Sequence, residues 1–236
     1  MLAIETANLT IGYPNHSVAE NINLQLSSGR MACLLGANGT GKSTLLRTLC
    51  GFQSPLCGSA SIAGYNINLL SPIQMARRVS VVLTCRPDTP SLTAEEMVAM
   101  GRAPYTGFWG NIHSTDRLLV QQAMHTVGIA TLAHRRIRTL SDGELQKVMI
   151  AKALAQQTPV ILLDEPTAFL DYASKVQIMK TLYSLAHHEG KTILLSTHDM
   201  ELAARIADDL LEIKNRRISP VTAKEVSRSI DSMLQR

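Results

Sequence analysis

The apolar positions change their period along the chain. Residues 3–11 and 22–26 alternate apolar with polar, which predicts half-buried strands, whereas 31–35 is a continuous apolar run that predicts a buried one. Ser71-Pro72 is a helix start, with serine as cap and proline in the first turn, and 79–83 predicts a second buried strand. From about 86 to 139 the pattern turns helical. Thr93 with Glu96 forms a capping box, Ser114 opens an apolar-periodic segment, and Pro104, Gly107 and Gly110 interrupt between them. Beyond it helix and strand alternate, over 141–157, 160–163, 174–188 and 192–196, the mark of a parallel α/β sheet. Thr222 with Glu225 caps a final amphipathic helix. With no internal repeat or low-complexity linker, 1–236 is expected to be a single domain, with the helical stretch of about 86–157 as an inserted subdomain.

Composition narrows this picture. At 236 residues and 45% hydrophobic content the chain can bury a substantial core. Apolar runs such as 160–163 and 193–195 are far shorter than the roughly 18 residues of a membrane span. The first ten residues alternate and include Glu5, unlike a secretory leader, so a soluble cytosolic chain is expected. Cys33, Cys50, Cys57 and Cys85 form no CxxC pair, which argues against a zinc site or a disulfide framework. The net charge of +4 is spread out, and basic clusters such as 134–138 lack interleaved aromatics, which disfavours nucleic acid as a partner. The same mild basicity suits anionic phosphates or an anionic membrane surface.

Chemistry enters at Gly36-Ala37-Asn38-Gly39-Thr40-Gly41-Lys42-Ser43, which matches G-x-x-x-x-G-K-[ST] between an apolar strand and the helix expected over 43–49. Glycines let successive N–H groups turn towards an anion, and the helix presents its positive dipole end to the same phosphates. Lys42 adds a point charge for the β and γ phosphates, and Ser43 a neutral oxygen for Mg²⁺. In Val160-Ile161-Leu162-Leu163-Asp164-Glu165-Pro166, two carboxylates emerge at the C-terminal end of a buried strand, where open α/β sheets bind ligands. Asp164 can orient Mg²⁺ directly or through water, and Glu165 can polarise a water for attack on the γ phosphate. Leu140-Ser141-Asp142-Gly143-Glu144 opens a helix and by itself is a capping box. His198, after the next buried strand, is placed to hydrogen-bond a γ phosphate.

The order of phosphate loop, helical insertion, Leu140 to Glu144, Val160 to Pro166, Ala168-Phe169-Leu170-Asp171 and His198 resembles the ABC-transporter ATPase family over nearly the whole chain. The resemblance implies a P-loop NTPase core of mainly parallel sheet, an N-terminal antiparallel β subdomain and the inserted helices. It implies ATP as nucleotide, held by Gly36 through Ser43 with Thr44, and catalysis by Lys42, Glu165 and His198. It further implies a head-to-tail dimer with a second copy, in which Ser141 and Gly143 act on the partner's ATP and Asp171 links the two sites. Tyr13 matches an aromatic that stacks on adenine; core packing in a strand is the other reading of that residue.

Met100-Gly101-Arg102-Ala103-Pro104-Tyr105 is similar to the Gly-Arg-x-Pro segment of ATPases serving importers of iron siderophores, haem and vitamin B12. That likeness implies a transmembrane permease, a substrate-binding protein and a peripheral place at the cytoplasmic face of the membrane. A non-transport relative, such as an iron–sulfur cluster-assembly ATPase, is the alternative. The chain departs from the family at Thr84-Cys85-Arg86, where Cys85 most nearly occupies the place of a usual glutamine, and at Asp142, where glycine is usual. A thiol is a poor Mg²⁺ ligand, so reduced transport-coupled hydrolysis is expected. The Asp142 carboxylate is expected to point away from the nucleotide.

Overall fold

The computed structural model describes residues 1–84, 91–107 and 110–234. The chain opens with β1 (Leu2–Tyr13) and β2 (His16–Ile22), paired antiparallel across the turn at Pro14-Asn15. A short β3 (Gln25–Ser27) also pairs with β1. The strand expected over 22–26 is broken at Asn23 and Leu24. The buried Thr6 hydroxyl donates to Ile22 O at 2.9 Å and accepts the Leu24 amide at 2.8 Å, occupying backbone groups that a continuous ladder would need. After β4 (Met31–Leu35) and α1 (Lys42–Leu49), β5 (Cys57–Ile62) and β6 (Tyr65–Asn66) extend the antiparallel sheet in the order β2-β1-β5-β6.

Next come α2 (Pro72–Ala76), with its Ser71 capping box, and β7 (Val79–Val82). Between β7 and the next strand lie α3 (Ala94–Ala99), a 3₁₀ segment over Met100–Tyr105, α4 (Ser114–Thr126) and α5 (Asp142–Ala155). The chain then runs through β8 (Val160–Asp164), α6 (Tyr172–Glu189), β9 (Thr192–Thr197), α7 (Met200–Ile206), β10 (Asp209–Lys214), β11 (Arg217–Val221) and α8 (Ala223–Leu234). Among the described residues the second sheet has the order β11-β10-β4-β9-β8-β7 and is parallel except at β11.

Continuous apolar runs make central strands because both faces of this sheet are covered. Cys33, Leu35, Ile161, Leu163, Ile193 and Leu195 face the helical layer. Ala32, Leu34, Val160, Leu162 and Leu194 face the antiparallel sheet. Register then decides where the chemistry lies. Leu35 pairs with Thr197 and Asp164 with Ser196, so β4, β8 and β9 end together and their following loops share one sheet edge.

The Gly101-Arg102 segment acts as a joint. A Cβ on Gly101 would collide with the Lys152 carbonyl, so only glycine lets the 3₁₀ turn approach α5 this closely. Arg102 is buried, donates from Nε to Asp116 Oδ1 at 2.9 Å and from Nη1 to Ala155 O at 2.7 Å, and stacks over Tyr105.

Candidate active site

The loop between β4 and α1 is a backbone concavity. Gly41, the residue before α1, has φ 107°, and a Cβ there would collide with Val18, so a side chain is excluded by both conformation and space. Gly39 has φ 81° and opens onto free space. Lys42 folds back over the loop: its Nζ donates to Gly36 O at 2.7 Å and Ala37 O at 3.2 Å, and its side chain is only 5% exposed. Thr40 donates to Ala37 O at 2.9 Å, which tightens the turn. Ala37, Asn38 and Ser43 are exposed, while Thr44 is buried in α1.

At the end of β8, Asp164 is buried and its Oδ1 accepts from Ser196 Oγ at 2.7 Å. Glu165 leaves the strand at φ 49°, a left-handed conformation that costs a non-glycine residue about 1–2 kcal/mol. The bend turns its carboxylate to the phosphate loop, with Oε1 at 3.5 Å from Lys42 Nζ. Its Oε2 lies 2.8 Å from His198 Nδ1, which donates when that nitrogen carries the proton. Lys42, Asp164, Glu165 and His198, at or just beyond the ends of β4, β8 and β9, thus lie along one sheet edge. The buried Oε1 of Glu165 lacks a hydrogen-bond partner among the described residues, and no ion pair there reaches Asp164. A buried carboxylate oxygen left without a hydrogen-bond donor, beside a second acid and an open amide-lined loop, fits a magnesium-bound phosphate chain.

Other residues singled out from the sequence stand apart from this group. Ser141 caps α5 and exchanges hydrogen bonds with Glu144, whose carboxyl is held below the usual range first by the Ser141 amide and further by Ser141 Oγ and Arg135. Gly143 lies nearest Ser174 and Leu170, so the start of α5 packs beside the start of α6. Asp171 caps α6, and the Ser174 amide and hydroxyl depress its pKa. Asp142 is exposed on the first turn of α5. Tyr13 is 48% exposed at the end of β1, beside an open groove that Arg47, Phe52 and Pro55 also line, so it is not a core residue. Cys85 falls outside the described residues.

Sequence reasoning passed over two hydroxyls. Ser196 in β9 bonds both Asp164 and the Glu165 amide, and Thr84 donates to Asp164 O at 2.8 Å. Their signal was a polar residue at or beside the end of an otherwise apolar buried strand.

A phosphate-cradling loop at a strand–helix junction, with two carboxylates at the end of β8 on the same sheet edge, one strand removed from β4, defines a phosphate-loop nucleotide hydrolase. The family model described as ABC transporter matches residues 19–168. The achromobactin transport ATP-binding protein CbrD of Dickeya dadantii is 39% identical over 92% of this chain and 80% of its own length. The iron(3+)-hydroxamate import ATP-binding protein FhuC of Bacillus subtilis is 36% identical over 96% of this chain and 84% of its own. Among solved structures, the ATP-binding cassette MJ0796, a dimer in a post-hydrolysis state bound to ADP and phosphate, superposes with a TM-score of 0.79 at 26% identity, covering 93% of this chain and 98% of that one. The chain belongs to the ABC transporter family and is its ATP-binding, ATP-hydrolysing subunit, which energises a membrane transporter.

Proposed function

We propose that this subunit drives import of compounds of the iron-siderophore, haem or cobalamin type. Two copies would work beneath a separate permease at the cytoplasmic face of the membrane, supplied by a substrate-binding protein. The transport and import names of the relatives at 36–39% identity favour this over an iron–sulfur assembly role. No helix among the described residues is long and apolar enough to cross a membrane, which suits a peripheral subunit. The helices of about 86–157 would form the inserted subdomain that meets the permease.

The observation that carries the catalytic reading is Glu165 set between Lys42 and His198. The amides of Gly36 through Ser43, with Thr44 behind them, would cradle the phosphates of ATP, and Lys42 would exchange its loop carbonyls for phosphate oxygens. Ser43 and Asp164 would hold Mg²⁺, which supplies charge neutralisation on the phosphates when bound. Glu165 would take its place beside the attacking water, steadied by His198, which also reaches the γ phosphate. Tyr13 would stack on adenine. Ser141 and Gly143 would serve the second copy's ATP, and Asp171 would couple the two sites. The test is co-purification from membranes: a co-purifying multi-span permease that stimulates ATP hydrolysis is expected, and recovery with soluble assembly proteins alone would overturn the importer reading.

A further inference from the structure

The interior of β9 is apolar from Ile193 to Leu195, and then a serine with no exposure stands at position 196. A buried hydroxyl is costly unless its hydrogen-bonding capacity is used. Ser196 uses it on the acidic corner: its Oγ donates to Asp164 Oδ1 at 2.7 Å and accepts the Glu165 amide at 2.9 Å. Register explains how one side chain reaches both. Asp164 and Ser196 are direct partners in the parallel ladder, so their side chains leave the sheet on the same face. The peptide between Asp164 and Glu165 presents its N–H to the same hydroxyl, and Glu165 then turns into the left-handed region.

With Asp164 and Glu165 in the roles proposed above, on which this assignment rests, we propose that Ser196 is a positioning residue for ATP hydrolysis. By occupying Oδ1 it leaves Oδ2 of Asp164 as the oxygen offered to Mg²⁺. By holding the Glu165 amide it stabilises the strained bend that aims the Glu165 carboxylate at the phosphate loop. From the opposite side, Thr84 Oγ1 donates to Asp164 O at 2.8 Å, so the corner is gripped by hydroxyls on both flanks. Ser196 itself touches neither substrate nor metal and acts through its two neighbours.

The test compares Ser196→Thr with Ser196→Val. These side chains have the same volume and the same preference for strands, and differ in the hydroxyl alone. Two readouts are taken: turnover, and the gain in ATP affinity that Mg²⁺ confers over EDTA, measured by calorimetry. Ser196→Thr is expected to stay within about threefold of the parent in both, whereas Ser196→Val should lose about 10–100-fold in kcat and about tenfold of the Mg²⁺-dependent gain. ATP affinity in EDTA should be unchanged in either variant. In a Glu165→Gln background, Ser196→Val should lower the residual turnover far less than it does alone. Equal behaviour of the Thr and Val variants, or a parallel loss of affinity in EDTA, would overturn the positioning role. Control variants separate the two levels. If Glu165→Gln turns over at the parent rate and Asp164→Asn keeps the Mg²⁺-dependent gain, the reading of the site fails. If both controls lose function and Ser196→Val does not, only the role of Ser196 fails.

Discussion

Two buried cations in this molecule face carboxylates in opposite ways. Arg102, in the 3₁₀ joint, meets Asp116 at 2.9 Å, gives a second bond to Ala155 O and lies over the Tyr105 ring. Lys42, in the phosphate loop, meets Glu165 at 3.5 Å, beyond good hydrogen-bond distance, and leans on the carbonyls of its own loop. The first carboxylate is supported by the His113 amide at 3.1 Å as well as by the guanidinium. The second keeps one buried oxygen without a hydrogen-bond partner among the described residues and sits on a left-handed backbone. A saturated pair in relaxed geometry ties elements together, whereas an undersatisfied pair in strained geometry is set to exchange its partners for a ligand. By this criterion the Gly101-Arg102 segment, which sequence likeness links to a class of importers, acts in this chain as a structural joint.

Substitutions in the two regions should therefore fail in different assays. The largest effect is expected for Glu165→Gln, with a loss of about 10²–10⁴-fold in kcat, retained ATP binding and little change in thermal stability. Hydrolysis at the parent rate would remove Glu165 from the chemistry. Asp116→Ala should do the reverse. It strands a buried guanidinium at a cost of about 3 kcal/mol in chemical denaturation, with ATP affinity at moderate temperature within about twofold of the parent. A large affinity loss with normal stability would show the joint to be part of the site.

Acid sharpens the same contrast. The Arg102 hydrogen bond, followed by the His113 amide, depresses the Asp116 pKa, so its contribution is complete above the ordinary aspartate value of about 3.9. That contribution is lost as pH falls through the lower native value. The stability gap between the parent and Asp116→Ala should thus hold from about pH 6 down to about pH 4 and shrink only below that, and a gap that widens in acid contradicts the assignment. The smallest effect is expected at the groove of Tyr13. Tyr13→Ala should weaken ATP binding by about 1 kcal/mol, the scale of one aromatic stacking contact, without altering kcat.

Local signals with fixed chemistry were legible in the sequence. The glycine loop, the apolar run ending in Asp164 and Glu165, and the capping serines at 71 and 141 each follow from adjacent residues, and each sits on the element that its pattern predicts. Long-range partners were not legible. Asp116 lies 14 residues beyond Arg102, and Ser196 is 32 beyond Asp164, so only helix packing and strand register bring them together. The break in the strand expected over 22–26 was hidden for the same reason, since the hydroxyl responsible belongs to Thr6 on another strand. Tyr13 needed the structure for a different purpose: an aromatic at a strand end reads alike whether it points inwards or out, and its exposure separates the two.

The central claim is that the phosphate loop and the acids at the end of β8 serve a single nucleotide. Calorimetric titration of Glu165→Gln with ATP, in Mg²⁺ and in EDTA, beside the double variants that add Lys42→Ala or Asp164→Asn, tests it most directly. One ATP per chain is predicted, with affinity strengthened by Mg²⁺, that gain abolished by Asp164→Asn, and binding itself abolished by Lys42→Ala. No heat of binding in Glu165→Gln, or a Mg²⁺-dependent gain that survives Asp164→Asn, would contradict it.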